Sequence, residues 1–204
     1  MERLPPSPSG QGLLETTIAI GIIMTGLFAA LTLVMANVRG SDAAALRFGA
    51  VQAAREGVEI ARAIRDANWL AGSVSWDQGM TGSGDQQYIA VAVLDTETQV
   101  WRFEYVHEDF TQPAARLVRR VEGASPFWTQ GVTSEAVEWS PYRRLIALYP
   151  ICADGSIVRS GVPCDGAQDV PGPKVGVRVQ SVVHWEHRGR LEEAVAEEDL
   201  YNWR

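Results

Sequence analysis

The sequence predicts an α+β protein in which a long N-terminal helix, membrane-spanning in its first half and amphipathic in its second, packs on an antiparallel β-sheet head. Three observations carry that prediction. Thr16 to Val38 is a run of 23 residues without a charge or a proline. No proline occurs between Pro8 and Pro113, so nothing in the backbone chemistry breaks a helix that continues beyond the apolar run. After Gly72 apolar and polar residues alternate between turn residues, which is the period of half-buried strands. The implied division is a polar leader at 1–10, a hydrophobic helix at 11–40, its amphipathic continuation at 41–70 and the sheet-bearing head at 71–204.

Composition bounds the function. The chain has 204 residues, 46% hydrophobic and 21% charged, with a formal net charge of −7. These values exclude a disordered tail, a collagen-like fibre and a many-pass membrane protein. The cations are seventeen arginines and Lys174, scattered along the chain, so there is no direct evidence for nucleic-acid binding. Two cysteines, Cys152 and Cys164, are too few for a disulfide-built scaffold or an all-cysteine zinc site.

The leader, MERLPPSPSG, cannot be helical with Pro5, Pro6 and Pro8 so close together. The uncharged run that follows makes about 34 Å of helix, enough for a hydrocarbon core of about 30 Å. A helix hydrophobic all round belongs in a membrane or a large core. Glu15 stands at the mouth of this run, where a carboxylate either snorkels to the headgroups or is kept for a partner. A secretory signal is the rival reading, with Val34-Met35-Ala36 as its cleavage site. Such a signal has an apolar region of about 7–15 residues behind a basic start, whereas the run here is longer and only Arg3 precedes it.

Beyond the apolar run, DAAALRFGAVQAAREGVEIARAIRDANWL is rich in helix formers. Leu46, Ala50, Ala53, Gly57, Ile60 and Ile64 recur every three or four residues as an apolar stripe. Arg55 and Glu59 form an i, i+4 pair on the wetter side. Gly40 is either part of one continuous helix or a hinge between two. Gly12, Ala19 and Gly26 lie near one face and permit close helix contact.

In the head, Trp101, Phe103 and Tyr105 alternate with Arg102 and Glu104. Tyr88 to Leu94 is apolar on both faces, as expected of a central strand. Val175 to Trp185 puts Val175, Val177, Val179, Ser181, Val183 and Trp185 on one face and Arg178, Gln180 and His184 on the other. Arg188-Gly189 is a hairpin turn leading into Leu191 to Tyr201. Four to six strands are expected in all, around one core.

Gly10, four residues, Glu15 and an unbroken apolar helix together resemble the type IV prepilin signature. The order of leader, long helix and antiparallel sheet extends the resemblance over the chain. AREGVEIARAIRDANWL and VHWEHRGRLEEAVAEEDLYNWR are similar to minor-pilin sequences in particular. The resemblance implies cleavage between Gly10 and Gln11 by a membrane-embedded aspartyl prepilin peptidase, and N-methylation of Gln11. Leu13, Leu14 and Glu15 stand in the expected places, while Gln11 replaces the usual aromatic residue and Gly12 a common threonine. It further implies a single pass through the inner membrane with the head outside, then an extracellular pilus or a periplasmic pseudopilus. The implied partners are membrane lipid, an inner-membrane assembly platform and other pilin subunits.

Cleavage would give the glutamate its reason. The new chain end is a cationic amine four residues before Glu15, and neither charge stays unpaired among packed apolar helices without cost. Glu15 of one subunit meeting the Gln11 amine of a neighbour satisfies both and fixes axial register. Two other readings use the same residues: a pseudopilin of a type II secretion or DNA-uptake machine, and a non-polymerising bitopic protein whose extracellular head binds a ligand.

Other candidates in the head read as structural. His184 and His187, three apart on a strand, face opposite ways and do not suggest zinc. Glu192, Glu193, Glu197, Glu198 and Asp199 read as a charged strand edge rather than a calcium loop. Cys152 and Cys164 are candidates for a disulfide in an exported head, contributing about 2–3 kcal/mol, with two free thiols as the alternative. Trp101 and Trp185 read as core, Trp69 as closing the helix end, and Trp128, beside Pro126 and Phe127, as a loop anchor or an adhesive side chain. No nucleophile–base pair, phosphate loop or carboxylate dyad stands out, so the expectation is a substrate of an enzyme rather than an enzyme, with no cofactor and no metal.

Overall fold

A computed structural model describes residues 11–72, 74–81, 88–95, 97–122, 125–131, 138–159, 164 and 173–202. Helix α1 is Gln11–Ala71 and is helical through Gly40. Seven strands follow: β1 (Ile89–Asp95), β2 (Val100–Tyr105), β3 (Arg116–Glu122), β4 (Ser125–Thr129), β5 (Glu138–Cys152), β6 (Lys174–His187) and β7 (Arg190–Tyr201). Every pairing between them is antiparallel. The chain divides into two compact units, Met1–Leu46 and Arg47–Arg204, and α+β describes the whole.

In the first unit the described helix is apolar and unburied. Every side chain from Gly12 to Val38 is exposed. Its hydroxyls bond back to the preceding turn: Thr16 to the Gly12 and Leu13 carbonyls (both 3.0 Å), Thr17 to Leu14 (2.9 Å), Thr25 to Gly21 (2.8 Å) and Thr32 to Ala29 (2.8 Å). Back-bonding of this kind removes the need for water. A helix this long and apolar meets the requirements of a membrane span.

In the second unit the helix buries the expected stripe. Ala50, Ala53, Gly57 and Ile60 are buried, and Ile64 packs partly buried against the core. A second row of Ala54, Val58, Ala61 and Arg65 widens that face. Two helix glycines approach the sheet closely: a Cβ at Gly49 would meet the Tyr142 ring (2.9 Å to Cζ), and one at Gly57 would lie 3.0 Å from Ser181 Cβ and 3.2 Å from Ile146 Cδ1. Glu59 pairs with Arg62 (2.8 Å) instead of Arg55, because Arg62 also reaches Glu198 of β7 (2.5 Å) and bridges both carboxylates.

The sheet is organised around β5. One edge of β5 pairs with β6 over most of its length, and β3 and β1 divide the other between its two halves. Among the described residues the strands number seven, above the four to six expected. The path runs β2-β1-β5-β3-β4, with β6 and then β7 added beyond β5. In β6, Val177, Val179, Ser181, Val183 and Trp185 are buried, as the alternation required. Arg188 and Gly189, at φ 54° and 73°, form the turn into β7, the paired left-handed geometry of a tight hairpin. Beyond its two ladder positions with β5, the inner edge of β1 is met by side chains: Ala92 N–H donates to Gln130 Oε1 (3.3 Å) and Leu94 N–H to Thr129 Oγ1 (3.2 Å).

Candidate assembly surface

The surface that needs explaining in the first unit is the apolar helix itself. Leu13, Leu14, Ile18, Ile22, Phe28 and Leu31 are each more than half exposed, a contiguous apolar area far above what a soluble monomer leaves in water. Within Gly12–Val38 the threonine hydroxyls are satisfied internally, so Glu15 is the one side chain carrying a formal charge. It is exposed on the first turns of α1. Gln11 begins the helix, while Gly10 and the residues before it lie outside the described residues. Gly12, Gly21 and Gly26 have nothing within 4 Å of a built Cβ, which leaves smooth places for another helix to approach.

The second unit holds a disulfide and several ion pairs. Cys152 and Cys164 form a disulfide with Cα atoms 5.5 Å apart, and Gly161 and Pro163 of the enclosed loop lie outside the described residues. Tyr88 and Val158 pack around that bridge. His184 Nε2 lies 2.9 Å from Glu193, and its ring stacks on Phe110 at 3.6 Å between centroids. Arg143 donates to the Phe110 and Thr111 carbonyls (2.8 and 3.0 Å), fastening that loop over the sheet face opposite the helix. The acidic run lies on β7, which among the described strands pairs with β6 alone. Several of its members are engaged across the edge: Asp199 accepts from Arg178 Nε (2.7 Å) and Nη2 (2.8 Å), and Glu197 lies 3.4 Å from Arg178. Among the described residues no group of three His, Cys, Asp or Glu side chains is placed to hold a metal.

The tryptophans divide. Trp185 is buried and Trp101 partly so. Trp69 lies under the Arg65 guanidinium at 4.6 Å near the end of α1. Trp128 sits in strand β4, paired with Arg119, and not in a loop; it is 37% exposed. β4 was hidden because Pro126 reads as a strand breaker, yet an edge strand accommodates proline.

Several polar groups inside the second unit, buried or partly so, were not expected from the sequence. Arg144 is fully buried in β5, donating from Nη1 to the Ala53 carbonyl (2.9 Å) and from Nε to Gln130 Oε1 (3.0 Å), with Glu56 3.6 Å away. Gln130 donates in turn to the Ala115 and Arg144 carbonyls (2.9 and 2.7 Å). Burial raises the Glu56 carboxyl pKa against the opposing pull of Arg144, and burial lowers that of Arg144. Lys174 sits 2.7 Å from Asp77 and over the Trp76 ring at 5.6 Å. Burial pushes Asp77 up, but hydrogen bonds from Lys174 and Ser75 outweigh it and hold the carboxyl below its usual range. A charged residue inside an apolar strand, as in RRLIALYP, was the available signal for Arg144.

The chain matches no protein family, no curated protein and no solved structure.

Proposed function

We propose that this chain is a structural subunit of a type IV pilus or a related filament, of the minor-pilin kind. It is inserted in the inner membrane by α1, cut after Gly10 by a prepilin peptidase, and methylated at Gln11. It is then assembled by helix packing, with Glu15 meeting a neighbour's N-terminal amine. In that role it is the substrate of a processing enzyme and catalyses nothing itself.

The observation that carries the reading is the pairing of an apolar, internally satisfied helix surface with a single carboxylate at its start. Lipid satisfies the apolar part, but only a cation satisfies Glu15 once other helices replace lipid around it. A bitopic receptor needs the same span but gives Glu15 no partner.

The test is mass spectrometry of the mature N-terminus together with two variants. The expected product begins at a methylated Gln11. Glu15→Gln and Glu15→Leu are expected to insert and be cleaved normally while filament yield drops at least tenfold. A mature protein that still carries Met1, or full filament yield from both variants, removes the proposal.

A further inference from the structure

Within the head, the two ends of its share of α1 carry different apolar features. At the C-terminal end, an open groove of about 560 Å³ runs between Ala63, Ala67 and Ala71 of the helix and Val100 and Trp101 of β2, and its lining is mostly apolar. Among the described strands β2 pairs only with β1, so its outer edge is open, and Val100 is 55% exposed there. At the N-terminal end Phe48 stands 66% exposed beside Gln52 and Trp128. Phe48, Gln52, Ala63 and Ala67 share one flank of the helix by its 3.6-residue period, and Phe48 and Ala63 are separated by about 22 Å along the axis.

Charge follows the same polarity. Arg47 and Arg55 are exposed at the Phe48 end. The β1–β2 hairpin beside the groove carries Asp95, Glu97 and Glu104 around Arg102, which already pairs with Asp95 (3.4 Å) and Glu104 (2.8 Å) and leaves the hairpin net acidic.

A two-fold axis across the helices would let knob and groove meet reciprocally and close as a dimer, but copies whose helices run parallel in one membrane are not related that way. Knob and groove then meet by translation, in a heterologous contact that repeats without closing. We propose that the head docks head to tail on a second copy of this chain, with Phe48 of one copy against the Ala67–Trp101 groove of the next and Arg47 and Arg55 facing the acidic hairpin. The contact deepens the filament reading and rests on it for its setting. The contact works between neighbours already concentrated and aligned by their apolar helices.

The test is disulfide trapping in the full chain, in its native membrane, with Phe48→Cys and Val100→Cys introduced together. Both positions are exposed, and retention of the Cys152–Cys164 bridge, read by mass, verifies the fold. Oxidation is expected to give a ladder of dimer, trimer and higher species, at least fivefold above either single variant. A mature N-terminus at Gln11 with filaments but no ladder overturns the head contact and leaves the filament reading standing. A ladder from chains that still carry Met1 upholds the contact and removes the filament reading, and neither processing nor a ladder removes both. A strong dimer from Phe48→Cys alone without a ladder, or a cross-link from Val100→Cys to a chain of different mass, overturns the second copy as occupant.

Discussion

Arg144 has no route to water, yet it holds a full charge between helix and sheet, because Glu56, the Ala53 carbonyl and Gln130 surround it. Such a group is expensive to strand rather than strongly stabilising to keep. Arg144→Met leaves Glu56 without its counter-charge and is expected to destabilise the head by about 3 kcal/mol, read as a lower denaturant midpoint. Adding Glu56→Gln is expected to recover part of that loss; an unchanged midpoint in Arg144→Met would show that the buried charge contributes nothing. Glu15 was legible because its oddity is local, an acid at the edge of an apolar run. Arg144 was not, since its partners Ala53 and Glu56 lie far away in sequence and no spacing rule connects them.

Among the elements, α1 and β6 were the most legible because each repeats one period over many residues. The stripe from Ala50 to Ile60 and the buried Val177, Val179, Ser181 and Val183 follow from period alone. β3 and β4 were obscured for a physical reason. RLVRRVE keeps no strict alternation, with adjacent Leu117 and Val118 both buried beside a register shift, and Pro126 interrupts the pattern of its neighbour. Gly57 is one of two helix glycines packed closely against the sheet, and the nearest atoms to it belong to Ser181 and Ile146. Gly57→Ala gains about 1 kcal/mol of helix propensity, but crowding of a packed interior costs about 1–3 kcal/mol. A net loss of about 1 kcal/mol is expected in thermal unfolding, relieved by Ser181→Ala. If Gly57→Ala raised the melting temperature, the close approach would not be a constraint.

For the whole molecule, the carboxylates set how stability responds to acid. Hydrogen bonds from Arg178 hold Asp199 below its ordinary range, against a smaller opposing effect of burial. Asp77 is lowered as well. A depressed carboxyl contributes stability above its unfolded value of about 3.9 and loses it as the pH falls through the lower folded value. Glu56 runs the other way, since burial raises it and its ionised form is relieved as the pH drops. Stability is therefore expected to hold down to about pH 4 and to fall below it. Asp199→Asn should cost about 1 kcal/mol at pH 7 and nothing near pH 2; an equal cost at both values would mean that the Arg178 pair does not report on folding.

At this scale the α+β class and the membrane-compatible helix were legible from patterning, whereas the division of β5 between two partners was not. Such sharing depends on where separate strands end. The contact between Gly57 and Ser181 also has a temporal side. On the ribosome the alanine stripe of α1 emerges long before β6 is synthesised to cover it. For that interval the nascent chain presents two sticky surfaces in succession, the membrane-compatible run of α1 and the stripe that its own sheet later covers.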